Sequence, residues 1–140
     1  MAKEYFQIPH TDIDEHWELF ALLVQKAIDK SDDNDYSIFG IYHRLKLNQW
    51  QLFCVLEDNE LNSIFITSVT PFDLNCYLHI CVTTAMKGKK LDYQYMLDCY
   101  KEIAIKFNCN KISAMGRKGW KRIMPEYGCK EQTLFTITME

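Results

Sequence analysis

The sequence predicts an α+β domain in three layers: one mixed central sheet containing an antiparallel meander, with helices on both faces. Two observations predict it. Hydrophobic periodicity changes along the chain in the order β-α-α-β-β-β-α-β-α-β, with three strand-like runs in succession between Trp50 and Thr84. The second and third of those runs, Leu61–Thr70 and Leu74–Thr84, are apolar on both faces in places, so the sheet needs cover on both sides. A chain of 140 residues without linker, internal repeat or low-complexity tract fits a single domain over residues 1–140.

Glu4–Ile8 reads as a short strand ended by Pro9. Thr11 and Asp14 have the spacing of a capping box. Ile13, Trp17, Phe20, Val24 and Ala27/Ile28 then recur at helical spacing up to Lys30. Asp12, Asp14, Glu15 and Glu18 lie in its first turns, where the helix dipole favours anions. The polar run Ser31–Asp35 is a loop. Ile38, Ile41, Tyr42 and Leu45 predict a second helix within Tyr36–Leu47, capped by Asp35 or Ser37 and tolerating Gly40.

The meander follows: strand Trp50–Leu56, turn Glu57–Glu60, strand Leu61–Thr70, turn Pro71-Phe72-Asp73, strand Leu74–Thr84. Its β-branched and aromatic residues suit a pleated surface. The basic turn Lys87-Gly88-Lys89-Lys90 leads to Asp92, which can cap a helix reaching Phe107, with Met96, Tyr100, Ile103, Ala104 and Phe107 inward. Asn108–Asn110 ends that helix, and Lys111–Met115 is a short strand. Gly116 opens a turn into a brief helix, Arg117–Tyr127, carrying Trp120, Ile123 and Met124 and limited by Pro125 and Gly128. Thr133–Met139 reads as a closing strand with Phe135, Ile137 and Met139 on one face.

Hydrophobic content of 48% and charged content of 25% are those of a soluble globular protein. No apolar run approaches a membrane span, and no secretory signal follows Met1, so no membrane partner is expected. Cys54, Cys76, Cys81, Cys99, Cys109 and Cys129 form no C-x-x-C pair and are read as reduced thiols. His10, His16, His43 and His79 are scattered, so no metal site is expected, and His79 is read as a hydrogen-bonded strand residue. The net charge of −3 conceals a division. Residues 1–35 hold three Lys against nine Asp or Glu, whereas residues 87–122 hold ten Lys or Arg against three acids. Such a division can steer an anionic partner or bring two copies together.

Three stretches carry a family resemblance: Trp50-Gln51-Leu52-Phe53, Gly116-Arg117-Lys118-Gly119-Trp120 and Tyr127-Gly128-Cys129. With the order of elements they make the chain similar to the GNAT fold of Gcn5-related N-acetyltransferases, over Gln51–Glu140 and more loosely before it. Within that fold it most resembles small GNAT-like proteins of tailed bacteriophages, of the internal virion or head-assembly type. The resemblance implies a protein of the host cytoplasm or the virion. Its partners would be other phage structural proteins or a second copy.

An acetyltransferase of this fold holds the cofactor pyrophosphate on a Q/R-x-x-G-x-G/A turn, whose glycines leave backbone amides bare at a helix N-terminus. The matching residues here are Lys87, Gly88, Lys89, Lys90, Leu91 and Asp92, with Lys90 and Asp92 in the glycine places. A carboxylate there competes with phosphate for the same amides. The position of the family's tyrosine acid, four before the glycine, falls on Met124, and Tyr127 is read as packing. Asp73, His79 and Glu57 are the available bases. The first expectation is therefore a non-catalytic protein without cofactor, working through protein–protein contacts. The alternative is an acetyl-CoA-dependent N-acetyltransferase whose cofactor rests on Lys87, Gly88, Lys89 and Lys90. The basic surface Arg117, Lys118, Trp120, Lys121 and Arg122 is a candidate interaction surface; nucleic acid is a third and lesser possibility for it.

Overall fold

The structure is a computed structural model that describes residues 2–31, 35–115 and 124–139. Its strands are β1 (Lys3–Ile8), β2 (Trp50–Glu57), β3 (Glu60–Pro71), β4 (Cys76–Ala85) and β5 (Lys111–Ala114). They form one sheet in the order β1-β2-β3-β4-β5. The first four pair antiparallel, and β4 pairs parallel to β5. The helices are α1 (Ile13–Lys30), α2 (Ile38–Lys46) and α3 (Tyr93–Lys106), with single 3₁₀ turns at His10–Asp12 and Met124–Tyr127.

Alternate residues of each strand go to opposite faces, and both faces are covered. On one side Leu52, Cys54, Ile64 and Ile66 pack with Phe20 and Val24 of α1 and Ile41 and Leu45 of α2. On the other, Phe53, Val55, Phe65, Leu78 and Ile80 pack with Met96, Cys99, Ile103 and Ala104 of α3. Phe65 is fully buried, stacked on Phe53 at 4.9 Å and met edge-on by Tyr100 at 5.0 Å. The three layers expected from the apolar runs are therefore present, because neither face of these strands could be left wet.

Local chemistry sets most boundaries. Ser37 caps α2: its Oγ accepts the Gly40 amide at 3.0 Å, which decides between the two candidate caps. A Cβ at Gly40 would sit 2.9 Å from a guanidinium nitrogen of Arg44, whose flexible side chain can move away, so α2 tolerates the glycine without requiring it. Asp92 caps α3, its carboxylate accepting the Tyr95 amide at 3.1 Å. The expected capping box of α1 is not made. The chain enters α1 through the 3₁₀ turn, and Asp14 instead accepts hydrogen bonds from the Tyr42 hydroxyl and from Lys46 Nζ, tying α1 to α2.

Two expectations at the C-terminal end fare differently. The stretch Arg117–Tyr127 shows a 3₁₀ turn at its end, Met124–Tyr127, while residues 116–123 lie outside the described residues. The expected strand Thr133–Met139 is not one. It has no regular structure, and Phe135, Ile137 and Met139 are 89%, 84% and 87% exposed. A period-2 apolar pattern expresses only a tendency; a strand exists when its backbone groups find a partner, and among the described residues no strand pairs with this segment. The strand expected from Leu74 starts instead at Cys76, with Leu74 exposed in the turn before it.

Candidate functional site

The parallel pair β4–β5 is the place where the sheet changes character. Tyr77, Leu78, His79 and Ile80 face Lys111, Ile112, Ser113 and Ala114, and the pairing stops there. At the same level β4 carries an irregularity. Ile66 pairs with Val82 and Thr67 with Ile80, so Cys81 is an extra residue, and the β4 register shifts across it. A bulge of this kind bends the strand that carries it. The pairing ends with β5 itself at Ala114, while β4 runs on through Cys81–Ala85; residues 116–123 lie outside the described residues.

Polar groups lie along β4 on either side of the bulge. His79 Nδ1 and Ser113 Oγ lie 2.9 Å apart, directly opposite each other in register. The thiol of Cys81 donates to Ser68 Oγ at 3.5 Å. On the α3 side Thr83 Oγ1 and the Tyr100 hydroxyl are 2.9 Å apart. Burial lowers the His79 pKa, which favours the neutral imidazole. Burial pushes the Cys81 thiol up to about 11, opposed by the bond to Ser68 and the Arg44 charge. Burial also raises the Tyr100 phenol. These are neutral donors and acceptors spread over the two faces of β4 around the bulge. His79 occupies the role of hydrogen-bonded strand residue expected of it.

Beyond the bulge, β4 leads to the basic turn. Lys89 N–H donates to Met86 O at 2.9 Å, closing a β-turn in which Gly88 has φ +80°. A type II turn requires that sign at its third residue, which is why glycine stands there. Lys87, Lys89 and Lys90 are exposed, and Lys89 lies 3.8 Å from Glu60. Met86 packs against the α1–α2 side of the core, and Met115 is exposed. The turn then meets the N-terminus of α3, where Asp92 accepts both the Tyr95 amide at 3.1 Å and Lys3 Nζ at 2.5 Å. The Lys3 hydrogen bond is the main cause of a lowered Asp92 pKa, followed by the amide of Tyr95. Lys3 also lies 5.6 Å from the centre of the Tyr95 ring.

A pyrophosphate bound at this helix start would need the amides that Asp92 already occupies, and would meet its negative charge. The residues present do not fit such a group. The other sequence candidates are dispersed. Asp73 lies in the turn before β4, at the far end from the basic turn. Glu57 accepts from Asn62 Nδ2 at 3.2 Å in the β2–β3 hairpin. Tyr127 is half-buried in its 3₁₀ turn. Arg117, Lys118, Trp120, Lys121 and Arg122 lie outside the described residues.

Sequence reasoning missed three features. The bulge at Cys81 leaves no compositional trace. The His79–Ser113 contact needs the parallel register, and the Lys3–Asp92 pair joins residues 89 apart in the chain. A further cleft of about 470 Å³ lies between α1 and α2, lined by Asp14, Trp17, Glu18, Ile38, Phe39 and Tyr42. The only sequence signal for it is Phe39, an aromatic residue off the apolar stripe of α2.

No protein-family model matches the sequence, and no curated protein matches it. Solved structures do resemble it across almost its whole length. A probable acetyltransferase matches with a TM-score of 0.72 at 14% identity, covering 100% of this chain and 99% of that one. The ribosomal-protein-alanine N-acetyltransferase from Brucella melitensis biovar Abortus 2308 gives 0.71 at 12% identity, covering 99% and 100%. A GNAT family acetyltransferase from Staphylococcus aureus gives 0.67 at 14% identity, covering 99% and 100%. Identities this low speak to architecture alone, and the architecture of this chain is a GNAT-like α+β fold.

Proposed function

We propose that this chain is a non-catalytic GNAT-like protein that works by binding other proteins, as a virion component or head-assembly protein of a tailed bacteriophage. One observation carries the non-catalytic part. The carboxylate of Asp92 sits on the amides at the start of α3 and is paired with Lys3, where an acyl-CoA enzyme needs bare backbone. Exposed apolar residues support a binding role: Phe39 on α2, and Phe135, Ile137 and Met139 near the C-terminus. The phage assignment rests on the motifs Gly116-Arg117-Lys118-Gly119-Trp120 and Tyr127-Gly128-Cys129. Its partners are then other structural proteins of the particle or a second copy.

Calorimetry of the purified chain with acetyl-CoA tests the first part, and the expected result is no saturable heat at micromolar concentrations. Mass spectrometry of purified virions tests the second; finding no trace of the chain in or on assembling particles would remove it.

The bulge at Cys81 beside the β4–β5 pair, together with the GNAT-like fold, favours a second reading, an N-acetyltransferase with an unorthodox phosphate turn. Under it, acetyl-CoA binds the unmutated protein, and Lys87→Ala and Lys90→Ala weaken that binding.

A further inference from the structure

Cys76 and Cys109 are the first residue of β4 and a residue two before β5. Their sulfurs are 3.4 Å apart. The main chain around them is held firmly. Cys76 N–H donates to Asn110 Oδ1 at 2.8 Å, and Asn110 N–H donates to Cys76 O at 3.0 Å. Cys109 N–H donates to Ala104 O at 2.7 Å, and Asn110 Nδ2 donates to Asn75 Oδ1 at 3.0 Å. Both cysteine backbones are thus fixed by bonds that do not involve their side chains. The two thiols meet because the fold places them together. Cys109 is 8% exposed, and Cys76 is half-buried, the more accessible of the two.

We propose that Cys76 and Cys109 are a modification site at which a hydroperoxide forms an intramolecular disulfide joining β4 to the turn that enters β5. The Cys76 thiolate attacks the peroxide oxygen; the O–O bond breaks, leaving a sulfenic acid on Cys76 and releasing an alcohol or water. The Cys109 sulfur then attacks the Cys76 sulfur, the S–O bond breaks, and the hydroxide that leaves takes up the Cys109 proton as water. Two thiols lose two electrons and one hydroperoxide is reduced. Burial and the neighbouring Cys76 push the Cys109 thiol up to about 11, which suits Cys109 to the second step rather than the first. The link closes the chain at the start of the parallel β4–β5 pair, opposite the end where β4 runs on past Ala114. This site is independent of whether the protein binds acetyl-CoA.

The test uses the reduced full chain, exposed to a graded excess of hydrogen peroxide and then alkylated. The expected product has lost 2 Da, retains four alkylatable thiols of the six in the sequence, and yields a peptide pair joining Cys76 to Cys109. Its Tm should rise by on the order of 10 °C and return on reduction. Cys129→Ser, which removes an exposed thiol, should leave the product unchanged, and Cys76→Ser should abolish it. A cross-link that maps to any other pair, or oxidation confined to Cys129 while Cys76 and Cys109 both remain alkylatable, overturns the proposal. The mapping is made on the unmutated chain, so it holds even if Cys76→Ser fails to fold.

Discussion

Lys3 and Asp92 meet at 2.5 Å at the start of α3, joining the edge strand β1 to a helix 89 residues away. The contact does two things. It fastens the first strand of the sheet to the helix that covers its far face, and it neutralises the carboxylate that fills the helix N-terminus. A solvent-facing ion pair contributes little by itself, so the cap carries most of the energetic weight. Asp92→Ala should therefore destabilise the protein by about 1 kcal/mol in urea denaturation, and Asp92→Asn, which keeps a capping oxygen, by a few tenths.

The same residue has a pH signature. Its folded pKa lies below the ordinary carboxyl value of 3.8, held there by Lys3 and the Tyr95 amide. The unfolded chain therefore binds the proton more readily, and the stability it contributes is present above about pH 4 and lost as pH falls through the folded pKa. Acid unfolding followed by circular dichroism should show the wild type losing this increment below pH 4, whereas Asp92→Asn should not.

His79 behaves in a parallel way nearer neutrality. Burial sets its folded pKa below 6.5, so stability is complete above that pH and declines as pH falls toward the folded value. The imidazole signals of His79, followed by NMR titration, should move at a pH below 6.5. His79→Asn should flatten the dependence of urea midpoint on pH between 5 and 7 at about the stability seen in the wild type at high pH, less the bond to Ser113.

Phe65 is the centre of the α3-side core, stacked on Phe53 and met by Tyr100. Phe65→Ala should cost about 3–5 kcal/mol. At a urea slope of about 2 kcal/mol/M, this should lower the midpoint of urea unfolding by about 2 M.

The C-terminal apolar residues should behave oppositely. Phe135 and Ile137 touch little, so Phe135→Ser and Ile137→Ser should alter stability by less than about 0.5 kcal/mol. Sedimentation velocity should show reduced self-association for the double substitution, since exposed apolar surface drives association. A large loss of stability would mean that this segment is packed into the domain after all.

Much of the fold could be read from the residues because its signals are local. The stripe Phe20, Val24 and the runs at Ile64–Ile66 and Phe53–Val55 announce period 3.6 and period 2 within a few positions. Asp92 was legible as a cap for the same reason: it needs only the amides two and three residues on. The closing strand failed because Thr133–Met139 has the right alternation but pairs with no strand among the described residues, and pairing lies outside the segment itself. The capping box at Thr11 failed because Asp14 found stronger partners in Tyr42 and Lys46 on another helix.

The sequence by itself determined the succession of strands and helices, the burial of both sheet faces, and the carboxylate at the head of α3. Only the tertiary structure decided that Cys81 is bulged, that β5 pairs β4 in parallel at Tyr77–Ile80, that His79 faces Ser113, and that Lys3 reaches Asp92. The reason is physical: periodicity and capping are interactions within a turn or two of chain, whereas register, bulges and distant ion pairs are set by which edges meet when the whole chain closes.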